Sequence, residues 1–212
     1  MTRRGRVALK VAVWAACLAP LAWLLYRAAT GDLTANPISF ITNRLGDWTL
    51  RILLTSLAMT PLRLLFGWSW PVALRRLLGL FAFFYVLLHF SVWLVLDHFF
   101  AWAQMGADIA KRPYITVGFT GFVLMIPLAI TSTAGWIRRL GGRWWNRLHR
   151  LVYITGICGV VHFLWLVKVV EAEQITYAAI LTVLLGLRLW WAIARRLAAP
   201  AMPARRTVSS PG

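Results

Sequence analysis

Apolar residues form six long runs along the chain, and short stretches richer in polar residues separate them. We place these runs at about residues 11–29, 46–66, 77–97, 114–136, 151–168 and 176–194. Each is close to the ~20 residues that a helix needs to cross a hydrocarbon layer about 30 Å thick. The pattern therefore predicts an all-α integral membrane bundle of six transmembrane helices.

The second run is the least regular of the six. Arg51 and Arg63 lie within it, although both are close enough to its ends for their charged groups to reach the lipid headgroups. Pro61 lies in the same run and predicts a kink or an early end, because proline has no backbone N–H for the helical hydrogen bond.

The composition excludes a soluble domain. With 60% hydrophobic and 14% charged residues, the chain has too little polar surface to cover such a core in water. A net charge of +17 would by itself suggest nucleic acid as a partner. Here the basic residues lie between apolar runs rather than along an amphipathic face, so we expect a membrane lipid environment and no nucleic acid.

The charges also predict an orientation. Basic residues cluster before the first, third and fifth runs and after the sixth, at Arg3, Arg4, Arg6, Lys10, Arg75, Arg76, Arg138, Arg139, Arg143, Arg147, Arg150, Arg195 and Arg196. The other connections are expected to hold every acidic residue: Asp32, Asp47, Asp97, Asp108, Glu171 and Glu173. Because positive loops stay in the cytoplasm, both termini are expected there. We divide the chain into a basic N-terminus (1–10), a transmembrane domain (11–195) and a disordered cytoplasmic tail (196–212).

Two of the four histidines lie deep inside apolar runs, His89 in the third and His162 in the fifth. Ionisable side chains are costly in a bilayer and are therefore functional candidates. His89 follows Arg76 by 13 residues, about 20 Å of helix, and His162 follows Arg150 by 12 residues, about 18 Å. These matched depths predict that the two imidazoles face each other and bind one iron porphyrin from opposite sides. Such ligation leaves no open iron position for oxygen chemistry, which favours electron transfer.

His149 lies at the inner edge of the fifth run, 13 residues before His162. On one ideal helix the two side chains would point about 140° apart. Either the helix is distorted, for which Gly156 and Gly159 offer room, or the two imidazoles serve different sites. His98 lies near the outer surface, where an interfacial histidine is ordinary, and we leave it out of the site.

Three stretches closely resemble the MsrQ family, which is part of the wider ferric reductase and NADPH oxidase transmembrane family. They are RRLLGLFAFFYVLLH (75–89), TSTAGWIRRLGGRWWNRLHRLVY (131–153) and HFLWLVK (162–168), and the resemblance extends over roughly residues 10–195. It implies a ferric reductase-like transmembrane domain that binds one or two b-type haems. The matching iron ligands are His89, His162 and His149, the last for a second haem whose other ligand is unassigned.

The resemblance also implies a function. MsrQ proteins are the haem-binding membrane subunits of the bacterial periplasmic protein-methionine-sulfoxide reductase system, in the inner membrane. They take electrons from the quinone pool or a cytoplasmic flavin reductase and pass them to a periplasmic molybdenum-containing subunit, with which they form a heterodimer. FMN is implied by the resemblance only. The chain would then be an electron-transfer subunit without catalytic residues that does not itself reduce methionine sulfoxide. With about 16 residues after Arg196, we expect no NADPH-binding domain in it.

Two other functions compete with this interpretation. A histidine-based proton or metal-ion transporter would explain the buried imidazoles, but transporters usually place carboxylates at mid-membrane depth, and no acidic residue is expected in the interior of a run. A purely structural membrane anchor would explain the helices and leave the matched histidine depths unexplained.

Overall fold

The protein is an α-helical bundle in the computed structural model, which describes residues 2–198. Within this range there are eight α-helices and one π-helical turn, at Trp93–Asp97. The α-helices are α1 (Arg3–Ala29), α2 (Pro37–Phe66), α3 (Trp70–Val92), α4 (Trp102–Lys111), α5 (Pro113–Ile130), α6 (Ala134–Leu148), α7 (Leu151–Leu166) and α8 (Ala172–Leu197). Most of the tail expected to be disordered, residues 199–212, lies outside the described residues.

Five helical segments are long and apolar enough to cross a membrane, and a sixth span results if the bent pair α6 and α7 is counted as one. The five are α1, α2, α3 with its π-helical turn, α5 and α8. The all-α membrane fold expected from the apolar runs is therefore confirmed.

Helix α2 begins well before the start expected near residue 46. The Asn36 side chain accepts a hydrogen bond from the Ser39 N–H at 3.1 Å, and Pro37 occupies the first helical turn. Asp47, which we expected in a connection, consequently lies inside α2 with its side chain 15% exposed and 3.7 Å from Arg44. Glu173 likewise lies in the first turn of α8, whereas Asp108 lies in the short helix α4 that connects α3 to α5, as expected of a connection.

Pro61 does not end α2, which continues to Phe66. The missing N–H of Pro61 deprives the Leu57 carbonyl of its usual helical donor. Arg188 of α8 replaces that donor, because its Nη2 lies 2.5 Å from the Leu57 oxygen. Its Nη1 donates to the Tyr153 hydroxyl of α7 at 2.8 Å. Arg188 thus supplies the hydrogen bond that Pro61 cannot make and joins α2, α7 and α8.

The fourth apolar run is shorter than the predicted 114–136, because α5 ends at Ile130. Thr133 caps the next helix by accepting from the Trp136 N–H at 3.3 Å, which separates α6 from α5. Helix α6 then meets α7 at a 43° bend. His149 is the cap at the end of α6 and does not lie on α7, so the angle of one ideal helix does not apply to His149 and His162.

Gly156 and Gly159, which we considered as points of helix distortion, lie where α7 packs closely on other helices. A Cβ on Gly156 would lie 3.2 Å from Leu57 and 3.3 Å from Leu181, and one on Gly159 would lie 3.3 Å from Leu50. Helix α7 runs unbroken past both. They therefore let α7 pack closely on α2 and α8, as small residues do between membrane helices.

Candidate functional site

His89 of α3 and His162 of α7 lie next to each other, with ring centroids 6.3 Å apart and ring planes at 82°. The prediction from their matched depths that they would meet is confirmed. Their role as iron ligands stays a prediction.

A backbone carbonyl on a neighbouring helix fixes each imidazole, one on α2 for His89 and one on α5 for His162. The His89 Nδ1 lies 2.9 Å from the Thr42 oxygen of α2, and the His162 Nδ1 lies 2.7 Å from the Tyr114 oxygen of α5. A carbonyl oxygen only accepts, so both Nδ1 atoms carry the hydrogen and both Nε2 atoms keep a free lone pair. Among residues 2–198 neither Nε2 has a hydrogen-bond partner. This is the tautomer and the backbone contact typical of metal-binding histidines.

The same local arrangement supports both histidines. In α2 the accepting Thr42 is followed four residues later by Gly46, and in α5 Tyr114 is followed four residues later by Gly118. A helical Cβ tilts toward the N-terminus, so a side chain at that position would cover the carbonyl one turn earlier. A Cβ on Gly46 would lie 3.3 Å from the His89 ring, and one on Gly118 only 2.6 Å from His162 Nδ1. The missing side chains make room for the imidazoles.

Sequence reasoning missed these four supporting residues. Thr42 and Tyr114 act only through their backbone oxygens, which no residue type reveals. Gly46 and Gly118 did carry a signal, because an isolated glycine inside a helix costs stability and usually has a packing or functional reason.

The residues fit a haem group. A metal–imidazole bond is about 2.0 Å long and the ring centre lies about 1 Å further, so two imidazoles on opposite sides of one ion have centroids roughly 6 Å apart. The 6.3 Å observed here agrees with that spacing. Phe90, the residue after His89, and Phe119, the residue after Gly118, pack against each other and against Phe122, with the Phe90 and Phe122 rings 4.7 Å apart. These aromatic rings offer apolar surface suited to a porphyrin.

His149 lies apart from the pair and has a different environment. Thr131 Oγ1 donates to the Pro127 carbonyl at 2.6 Å, so the contact of 3.0 Å between Thr131 Oγ1 and His149 Nε2 needs the imidazole as donor. Trp145 stacks on the ring at a centroid distance of 3.9 Å. The Nε2 atom is therefore occupied, in contrast to His89 and His162. The role of His149 at a second haem stays a prediction.

His98 follows the π-helical turn at the opposite end of the bundle from His149. Its Nε2 lies 3.2 Å from Asp108, its ring contacts Trp93 at 4.4 Å, and its side chain is 10% exposed. The turn after it contains Phe99 and Phe100 at positive φ, 47° and 61°. His98 is thus held by protein partners of its own.

Comparisons with known proteins agree with this architecture. The family model of the ferric reductase like transmembrane component matches residues 45–160. A protein of Rhodospirillum rubrum is 52% identical over 187 residues, which cover 88% of this chain and 90% of that protein. A protein of Ralstonia nicotianae is 53% identical over 186 residues, covering 87% of this chain and 86% of that protein. A protein of Xanthomonas axonopodis pv. citri is 47% identical over 216 residues, covering 99% and 97%.

All three relatives bear the name protein-methionine-sulfoxide reductase heme-binding subunit MsrQ. The match to the Xanthomonas protein covers 99% of this chain, so it includes the helices that carry the histidine pair and its supports. The chain belongs to the MsrQ family, within the ferric reductase like transmembrane proteins.

Proposed function

We propose that this chain is the transmembrane electron-transfer subunit of a protein-methionine-sulfoxide reductase system, and that a b-type haem bound by His89 and His162 carries the electrons. The observation that carries the proposal is the facing histidine pair, 6.3 Å apart, with each Nδ1–H held by a backbone carbonyl. The relatives' name, heme-binding subunit, supports it.

The protein's own residues hold and orient the group rather than perform bond chemistry. His89 and His162 would hold the iron between their two Nε2 atoms, which would leave no ligand position for dioxygen or a sulfoxide. Their hydrogen bonds to Thr42 and Tyr114 keep the rings in place while charge moves, which limits reorganisation. When bound, the haem supplies an iron that takes up and releases one electron at a time. The chain therefore carries electrons and does not itself reduce methionine sulfoxide.

The position of the pair suits delivery toward the periplasm. We name two ends of the bundle: the basic end, where α3 begins and α8 ends, and the acidic end, where α2 and α5 begin. Thr42 lies five residues, about 8 Å of helix, after the start of α2 at Pro37, and Tyr114 lies one residue after the start of α5. The histidines therefore lie nearer the acidic end.

We place the chain in the bacterial inner membrane, with the basic end and both termini in the cytoplasm. Electrons from the quinone pool or a cytoplasmic flavin reductase enter there. They leave at the acidic end to a periplasmic molybdenum-containing reductase subunit, with which the chain forms a heterodimer that supports repair of oxidised proteins. FMN stays a prediction from family resemblance alone.

Electron transfer across a membrane tests the proposal. We expect liposomes that contain the purified protein and an enclosed reductant to reduce external ferricyanide, with a b-type haem spectrum that follows the reaction. Empty liposomes measure leakage. A colourless preparation that moves protons or metal ions without reducing ferricyanide would support the transporter interpretation instead.

Haem stoichiometry tests the role of His149. Because its Nε2 donates to Thr131 and no second histidine of residues 2–198 faces it, we expect one haem per polypeptide, retained in His149→Ala. The pyridine haemochrome assay on the purified protein measures this ratio. Two haems in the wild type and one in His149→Ala would establish the second site.

A further inference from the structure

A cavity of about 330 Å³ lies at the basic end, away from the histidine pair. Its size is within the range of small-molecule sites. Residues of α2, α3, α5, α7 and α8 line it, together with Trp145 and His149. Much of the wall is apolar and comes from Leu53, Leu57, Leu80, Phe83, Met125 and Leu128. The cavity can therefore accommodate a molecule with a sizeable hydrocarbon part.

The charged groups of this cavity are all positive. Arg75 and Arg76 of α3 and Arg188 of α8 line it, and none of the chain's six acidic residues does. All six acidic residues lie between positions 32 and 173, within the described part of the chain. Arg75 and Arg188 are half-buried and Arg76 is exposed. Like charges beside one cavity whose lining holds no counter-ion repel one another, most strongly where they are shielded from water. An anion in the cavity would neutralise them.

Two polar side chains that line the cavity, Arg188 and Tyr153, each have a hydrogen-bond donor available. Arg188 is fixed by the Leu57 carbonyl and the Tyr153 hydroxyl, while its buried Nε–H has no partner. Because the Tyr153 oxygen accepts from Arg188, the hydroxyl hydrogen of Tyr153 is free to donate to another group. Compensation for Pro61 explains one of the arginine's contacts. It does not explain why two further arginines, Arg75 and Arg76, line the same cavity.

We propose that this cavity binds the phosphate of an anionic phospholipid, with Arg75, Arg76 and Arg188 at the phosphate and an acyl chain along the aliphatic wall. Guanidinium groups match phosphate oxygens in charge and geometry. Basic pockets between membrane helices on the cytoplasmic side are recognised sites for anionic lipid headgroups. The surrounding bilayer supplies a molecule that combines phosphate and hydrocarbon at this depth.

Lipid binding to the delipidated full-length protein tests the proposal, with phosphatidylglycerol as the probe and native mass spectrometry as the readout. We expect one phosphatidylglycerol to bind per chain and phosphatidylcholine to bind far more weakly. Each basic residue near a lipid phosphate contributes about fivefold in affinity, so Arg75→Gln/Arg76→Gln should weaken binding about 25-fold. Arg188→Gln should also weaken it, and a far-UV spectrum shows whether that variant keeps its helices.

The matched control is Arg195→Gln/Arg196→Gln, which removes two exposed arginines of the basic end that do not line the cavity. It should bind phosphatidylglycerol like the wild type. Equal weakening by the control pair, or unchanged binding in Arg75→Gln/Arg76→Gln, would overturn the proposal. So would binding of soluble glycerol phosphate as tight as that of the lipid, since the phosphate would then come from a free ester. A second haem that depends on His149 and displaces the lipid would overturn it as well.

Discussion

His89→Ala and His162→Ala are each expected to remove at least about nine-tenths of the haem from the purified protein. Each substitution deletes one of the two imidazoles that would hold the haem, and a single imidazole would not hold an iron porphyrin with a defined low-spin spectrum. The measurement is haem per polypeptide, together with the reduced α-band of the visible spectrum. Full haem retention in both variants would reject the assignment of the site.

His98→Ala is the matched control for this experiment. It removes another histidine of the bundle, but one that Asp108 and Trp93 already hold at the acidic end. We expect it to retain haem at the wild-type ratio. To separate ligand loss from misfolding, His162→Gly is reconstituted with haem in the presence of free imidazole, which should restore the spectrum if the fold is intact.

Gly118→Ala is expected to lower haem affinity by about fivefold to 150-fold. Its Cβ would lie 2.6 Å from His162 Nδ1, a separation at which the ring or the helix must move. Overpacking of this kind costs about 1–3 kcal/mol, and each 1.4 kcal/mol corresponds to a tenfold change. Displacing the ring also weakens the hydrogen bond that it donates to the Tyr114 carbonyl. The imidazole then becomes a weaker electron-pair donor to iron. A haem titration measures the affinity, and the midpoint potential should rise.

The other glycines provide an internal scale for this prediction. Gly46→Ala should have a smaller effect, because its Cβ would meet the His89 ring at 3.3 Å. Gly186→Ala is the control, since nothing lies within 4 Å of the added carbon on α8. An equal loss of haem in Gly186→Ala and Gly118→Ala would show that the effect is general destabilisation. Unchanged haem affinity in Gly118→Ala would show that Gly118 does not help to position His162.

Much of the fold could be predicted because a bilayer imposes simple rules. Six apolar runs of spanning length give the helices, and their ends at Ala29, Phe66 and Asp97 agree with the structure. The errors lie where local hydrogen bonds override hydropathy. Asn36 and Pro37 start α2 early, and Thr133 starts a new helix inside the fourth predicted run. Capping side chains are polar, so a hydropathy pattern does not register them.

The site could be predicted in part. Depth along a helix depends only on the number of residues from a charged anchor, which is why His89 and His162 were correctly expected at one level. Rotation and bending depend on packing between helices. The bend before α7 takes His149 off the helix that carries His162, and no count of residues indicated that bend.

The sequence alone determined that this chain is a membrane bundle, which of its ends is basic, and how deep its two buried histidines lie, because each follows from composition and linear spacing. Only the tertiary structure decided that the Thr42 and Tyr114 carbonyls fix those histidines through Nδ1. It also decided that Arg188 satisfies the carbonyl freed by Pro61 and lines a basic cavity with Arg75. The reason is physical: these groups are far apart in the chain and meet only when specific helix faces pack, which a one-dimensional pattern does not encode.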